Sequence, residues 1–186
     1  MTVGSLKEED RIQKPEYGSH RPAPVLVLGL GNLLLGDDAV GVRLLERLGE
    51  GYGYDGAVEY VDGGTQGLAL LGCLEGREAV LVLDAVEFGA APGTVHVLRG
   101  PVVEQLRARR ASTAHEGGAI QLFEVANVLR LGWYELALVG VEPQRVRTGI
   151  GLSPSVEQSM EEALERARTI IEEMVRAHSR ESVVRL

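Results

Sequence analysis

Uninterrupted aliphatic stretches alternate along the chain with segments whose apolar residues recur every three or four positions, and glycines mark most of the junctions. Residues 25–28 are apolar on both faces, the pattern of a central parallel strand. From Asp37 or Asp38 the spacing becomes helical, with Val40, Leu44, Leu45 and Leu48 on one side, and it fades near the glycines at 49–53. A second strand is predicted over 58–61, running into the turn Asp62-Gly63-Gly64. Thr65 is then placed to N-cap a helix carrying Leu68, Leu71 and Leu74. A third, nearly all-aliphatic strand spans 79–86 and contains Asp84. Residues 94–98 read as another strand. The segment before them, 87–93, is too short for a parallel crossover, so an antiparallel edge is expected. A polar, glycine-containing loop over 109–118 leads to a helix through Ile120, Leu122, Val125, Val128 and Leu129, and residues 136–141 form a further buried strand. Ser153-Pro154 is a helix-start signature, followed by Val156, Met160, Leu164, Ala167, Ile171, Met174 and Val175 at helical spacing. Strands and helices alternating in this way predict a three-layer α/β/α sandwich around a mostly parallel sheet.

Composition narrows the class. The chain has 186 residues, enough for one domain with a substantial core, and with 45% hydrophobic but only 4% aromatic residues that core is aliphatic. The expected organisation is an N-terminal tail over 1–23, one domain over 24–178 and a flexible C-terminus over 179–186. Nineteen basic against 27 acidic residues leave a formal net charge of −8, which argues against nucleic acid or an anionic membrane surface as bulk partners. The short cluster Arg107, Arg109 and Arg110 reads as a solvated face. Cys73 is the single cysteine, so no intrachain disulfide forms, and on an apolar helical face it reads as core rather than nucleophile. The N-terminal tail has no apolar signal region and no run approaches a membrane span, so a cytoplasmic protein is expected, with a monomer as the default.

The chemistry concentrates between Val25 and Leu48. A strand, a glycine turn and a helix start usually form an anion cradle, but here the helix start carries Asp37 and Asp38, which would repel phosphate and attract a cation. In an open α/β sheet ligands bind beyond the carboxyl ends of the strands. Asp38 follows the first strand, Asp62 ends the second and Asp84 lies near the end of the third, so three acids fall toward one edge. Asp38 can be explained as a dipole-favoured helix start and Asp62 as a turn former. Asp84 resists such an explanation, because a carboxylate within Val-Leu-Val-Leu-Asp-Ala-Val is costly to bury alone. Of the histidines, His20, His96 and His178 read as bland. His115, in the glycine-flanked stretch Ser-Thr-Ala-His-Glu-Gly-Gly-Ala, is the best candidate for a third ligand beside two carboxylates, a set suited to zinc or nickel. Leu34 occupies the place of the third glycine in the dinucleotide fingerprint, which disfavours a nucleotide-binding domain. No second histidine follows His115-Glu116 at zinc-helix spacing, and no serine-hydrolase elbow is present.

Taken in order, GLGNLLLGDDAVGV at 29–42, DGGTQG at 62–67, LDAVEFGAAPGT at 83–94, the loop with a single histidine, LVGVEP at 138–143 and GLSPSVEQ at 151–158 resemble the [NiFe]-hydrogenase maturation endopeptidases, a peptidase family M52-like group. The resemblance covers nearly the whole chain from Pro24 to Ala177. It implies a cytoplasmic hydrolase with a twisted mixed sheet between helices. The implied reaction removes a C-terminal extension from the [NiFe]-hydrogenase large-subunit precursor after nickel insertion. It also implies that Asp38, Asp84 and His115 are the metal-binding and catalytic residues, that Asp62, Gly63, Gly64 and Thr65 form a substrate loop, and that nickel comes with the substrate, zinc or another divalent ion serving as surrogate. A non-catalytic, nickel-dependent chaperone docking on the same precursor is the alternative.

Overall fold

In the computed structural model of the protein, residues 22–50, 56–108, 112–113, 119–129 and 135–184 are described. Among the described residues the strands are β1 (Val25–Leu30), β2 (Val58–Gly64), β3 (Ala79–Glu87), β4 (Val95–Arg99), β5 (Ser112–Thr113) and β6 (Glu135–Val141). The α-helices are α1 (Val40–Gly49), α2 (Leu71–Leu74), α3 (Val102–Ala108), α4 (Ala119–Val128) and α5 (Pro154–Val184). The main sheet runs β2-β1-β3-β6-β4, parallel except for β4, and the two-residue β5 pairs antiparallel with the end of β3. The expected three-layer sandwich is therefore present. The strand expected over 94–98 forms one residue later, at 95–99, and is an antiparallel edge, but against β6, which enters the sheet between β3 and β4 although it comes later in the chain.

Period-two alternation divides the core. Val25, Val27, Leu81 and Leu83 face α1 and α5, whereas Leu26, Leu28, Val80 and Val82 face α2, α3 and α4. Every residue of β1, and of β3 from Ala79 through Val86, is buried, as strands covered on both faces require. The apolar stripe predicted for the last helix is the stripe that α5 buries, from Val156 through Met174. The helix extends past His178 to Val184, into the segment expected to be a flexible C-terminus.

Two helical faces differ from expectation. Residues 67–70 form a 3-10 turn preceded by Gln66, with no side-chain cap, so Thr65 is not an N-cap. The change of pitch into α2 turns Leu70 and Leu74 inward and leaves Leu68 exposed. In α4, Leu122, Phe123 and Ala126 are buried, while Val128 and Leu129 emerge at the helix end. The short α3 and β5 carry too little periodicity to be recognised in the sequence. Their neighbours Arg109 and Arg110 lie outside the described residues, as do His20 and the whole of 1–21.

Close approach of α1 to the sheet is written into Gly41. A Cβ there would lie 2.3 Å from the carbonyl oxygens of both Leu30 and Leu83. Only glycine lets the first helix settle on β1 and β3, and that contact sets the position of the loop carrying Asp37 and Asp38.

Candidate active site

The loop after β1 folds back tightly on the start of the first helical turn. Gly31 has φ +132, and a Cβ on it would fall 1.8 Å from the Asp38 carbonyl oxygen. Its N–H donates to the Gly64 carbonyl at 3.0 Å, tying the ends of β1 and β2 together. The next backbone N–H, from Asn32, donates to Asp38 Oδ2 at 2.8 Å, and the Asn32 side chain accepts from the Leu34 N–H at 2.9 Å. Asp38 is thus a wholly buried carboxylate whose loop is built around it.

Its neighbour Asp37 is equally buried but faces another way. Asp37 Oδ2 accepts the N–H groups of Gln144 at 2.9 Å and Arg145 at 2.8 Å, and Oδ1 accepts that of Ser153 at 2.5 Å. One side chain therefore organises the connection from β6 to α5. The two adjacent aspartates therefore differ: Asp37 anchors the β6–α5 connection, and Asp38 is bonded within its own loop.

Asp84 is also wholly buried, on the α2/α3/α4 side of β3 together with Val80, Val82 and Val86. Its Oδ1 accepts the Ala85 N–H at 2.8 Å and its Oδ2 accepts the Ala119 N–H, at the start of α4, at 3.3 Å. The 3-10 turn Asp37–Ala39 packs against β3, so Asp38 and Asp84 come to the same end of the sheet on adjoining elements. His115 lies outside the described residues. The chain on either side of it is tied to β3: Thr113 pairs with Val86, and Ala119 bonds Asp84.

The segment 62–65 has a different character. Asp62 is exposed, and its Oδ1 accepts the Gly64 N–H at 2.9 Å in a local turn. Along β2, Val58 and Tyr60 pack toward α1 and α5 and Val61 packs toward the opposite layer, which puts Asp62 and Asp84 on opposite faces of the sheet. Gly63 is hemmed in by Leu28, Leu30 and Leu70, each within 2.9 Å of where its Cβ would be. Gly64, at φ +46, looks onto open space except for Asp62 and Gly31 near 4 Å. Thr65 is exposed.

A second buried polar cluster lies at the same edge and was not anticipated. Glu142, directly after β6 and 4% exposed, accepts the N–H groups of Phe88 at 3.0 Å and Gly89 at 2.9 Å. His96 Nε2 stands 3.1 Å from Glu142 Oε2, the oxygen that also accepts the Phe88 N–H, and the Phe88 ring meets His96 edge-on at 4.6 Å. The cluster fastens the β3–β4 connection to the end of β6. Its signal in the sequence was a glutamate between an aliphatic strand and Pro143, a place where a charge requires partners. Of the other histidines read as bland, His178 pairs with Glu78 and His20 lies outside the described residues; Cys73, read as core, is partly buried against it.

Chemically, Asp38 and Asp84 are carboxylates whose oxygens accept backbone hydrogen bonds, hard donors that could enter a divalent-metal shell. Among the described residues no group of three or more His, Cys, Asp or Glu is gathered to hold an ion; the expected imidazole donor, His115, lies outside them. The donor chemistry fits nickel or zinc once a nitrogen or sulfur ligand is added. No helix among the described residues is long and apolar enough to cross a membrane.

Comparison with known proteins gives a consistent result. Residues 42–170 match the family model of the hydrogenase maturation proteases, HycI. The Hydrogenase 2 maturation protease of Escherichia coli (strain K12) is 41% identical over 164 residues, spanning 86% of this chain and 98% of that protein. The hydrogenase expression/formation protein HupD of Rhodobacter capsulatus is 36% identical over 79% of this chain and 70% of its own length. Among solved structures, the hydrogenase maturating endopeptidase HybD from E. coli superposes with a TM-score of 0.70 at 38% identity, covering 80% of this chain and 92% of that one. The [NiFe] hydrogenase maturation protease HybD from Thermococcus kodakarensis does so with a TM-score of 0.65 at 31% identity, covering 79% and 98%.

Proposed function

This chain belongs to the hydrogenase maturation protease family, and from that premise we propose that it removes the C-terminal extension of a [NiFe]-hydrogenase large-subunit precursor once nickel has been inserted. It is an endopeptidase, a hydrolase of peptide bonds. The observation that carries the finer reading is the pair Asp38 and Asp84, both wholly buried at the carboxyl end of the sheet and both accepting backbone N–H groups.

In this reading nickel arrives as part of the substrate. Asp38 and Asp84 supply oxygen donors, and His115 supplies a nitrogen donor. A metal already held by the precursor would meet these three side chains and fix the scissile segment against the enzyme, which converts docking into orientation. Buried, hydrogen-bonded carboxylates suit that role because their geometry costs no reorganisation when the substrate arrives. A divalent ion held by these residues would polarise a carbonyl or acidify a bound water. Zinc is a workable surrogate for probing the donors in the isolated protein. The reaction takes place in the cytoplasm and requires no nucleic acid or membrane, and the enzyme acts as a monomer.

Mass spectrometry of large-subunit precursor incubated with the protein tests this directly. Nickel-loaded precursor is expected to lose its C-terminal extension and nickel-free precursor to remain intact, with chelator blocking only when added before insertion. Equal cutting of loaded and nickel-free precursor would refute nickel gating while leaving the protease assignment in place.

A further inference from the structure

Beside Asp38 the molecule presents a rim built from two loops. Residues 34–36 and 145–149 are bonded to one another: the Gly149 N–H donates to the Leu34 carbonyl at 2.9 Å, and the Gly36 N–H to the Gly149 carbonyl at 2.9 Å. Asp37 clamps the same pair of loops from beneath, through the N–H groups of Gln144 and Arg145. On this braced platform Leu34 is 61% exposed and Ile150 is 81% exposed. Single exposed aliphatics are ordinary, but these two sit on loops hydrogen-bonded to one another, so they belong to one apolar rim.

Charge gives the rim its partner. Arg43, Arg47, Arg77, Arg99, Arg166 and Arg176 each pair with a glutamate. Arg145 and Arg147, both exposed, pair with no carboxylate among the described residues. They line a groove of about 510 Å³ with Gln144, Val146, Ser153 and Pro154. Arg145 also reaches over Gly36, its Nε 3.9 Å from where a Cβ on that glycine would be. In a chain with a formal net charge of −8, two unpaired guanidinium groups beside two bare aliphatic side chains are complementary to an apolar segment that carries carboxylates.

We propose that the rim formed by Leu34, Ile150, Arg145 and Arg147 is the docking surface for a carboxylate-bearing apolar segment of the precursor. This rests on the function proposed above. The aliphatic pair supplies desolvated contact and the arginines supply register and electrostatic steering. A segment held there lies next to the loop that ends in Asp38.

The test measures binding separately from cleavage. Affinity of nickel-loaded precursor is read by surface plasmon resonance for the wild-type protein, for Arg145→Glu/Arg147→Glu and for Leu34→Ser/Ile150→Ser, with thermal melting to verify folding. All four side chains are exposed, so unchanged melting is expected. Each double variant is expected to weaken binding by about tenfold or more. Added salt should weaken the wild type and the Leu34/Ile150 variant but partly restore binding by the charge-reversed one, whose new carboxylates repel the segment until they are screened. Unchanged affinity in both folded variants overturns the docking surface, as does absence of binding by the wild type. Precursor that binds in the expected pattern but is never cut supports the docking surface and counts only against the proposed proteolysis.

Discussion

Asp37 and Asp38 are adjacent in the chain and differ in role because their carboxylates answer to different parts of the backbone. Asp37 holds the β6–α5 connection through three N–H groups, so Asp37→Ala should cost on the order of 2–4 kcal/mol, the loss of charge-assisted hydrogen bonds with donors left unpaired. Asp38 and Asp84 belong to the proposed site. Asp38→Asn should leave the fold in place, since the amide oxygen still accepts the Asn32 N–H, and Asp84→Asn should keep the Ala85 N–H bond while losing the longer one from Ala119 at a modest cost; both should abolish processing. Calorimetry with nickel or zinc is expected to show affinity falling about 10- to 100-fold in Asp84→Ala, taking the effect of weaker ligand-supporting changes as the guide. Denaturant unfolding separates the two classes: a larger stability loss in Asp37→Ala, which unpairs three N–H groups, than in Asp84→Ala, which unpairs two, agrees with this division, and unchanged metal affinity in Asp84→Ala removes Asp84 from the site. The candidate character of Asp84 was legible in the sequence because a charge inside an aliphatic strand has no cheap explanation. The division of labour between Asp37 and Asp38 was not, because it depends on N–H groups more than a hundred residues away.

At the scale of elements, glycines decide how closely the helix and the turns meet the sheet. Gly41→Ala would drive a methyl group into the Leu30 and Leu83 carbonyls, so α1 must lift. The expected cost is about 3 kcal/mol, seen as a large fall in melting temperature. The 63–64 pair gives a sharper contrast. Gly63→Val meets Leu28, Leu30 and Leu70 and should unfold the protein or nearly so. Gly64→Val meets open space but must adopt φ +46, a strain of roughly 1–3 kcal/mol, and is expected to reduce processing while circular dichroism stays native. Global unfolding of Gly64→Val would make Gly64 structural and leave the 62–65 loop without a functional role. The helix at 67–74 was misjudged in phase because a 3-10 turn has a tighter pitch than the α-helical spacing used to read it.

At the scale of the whole molecule, the sheet edge is fastened to the layer above by Arg99. Its guanidinium bonds Glu135 at the start of β6 and Glu173 on α5, joining the antiparallel edge strand to its neighbour and to the last helix. The hydrogen bond to Glu135 chiefly holds the Arg99 pKa above its ordinary value, against some lowering from burial, with Glu173 adding to the rise. A pKa raised by folding contributes stability that is present below the unfolded value and lost only as pH climbs through the folded one. Both lie above the working range, so the loss in melting temperature for Arg99→Ala should be similar at neutral and mildly alkaline pH. It should be small and shrink with added salt, because the pair is partly exposed. A loss that grows between neutral and alkaline pH would point to another group.

What the sequence determined by itself follows from local periodicity: β1, β3, β6, the buried stripe of α5, the α/β/α layering, and the placing of Asp38 and Asp84 at the carboxyl ends of their strands. Those features repeat at intervals of two or of three to four residues, so a short window contains them. Tertiary structure alone decided that β6 inserts between β3 and β4, that Glu142 meets His96 and the 88–89 backbone, and that Asp37 clamps the β6–α5 loop. Each of these joins residues distant in sequence through strand pairing or a buried hydrogen bond, and no local pattern of apolar and polar positions records which distant partner satisfies a given strand edge or charge.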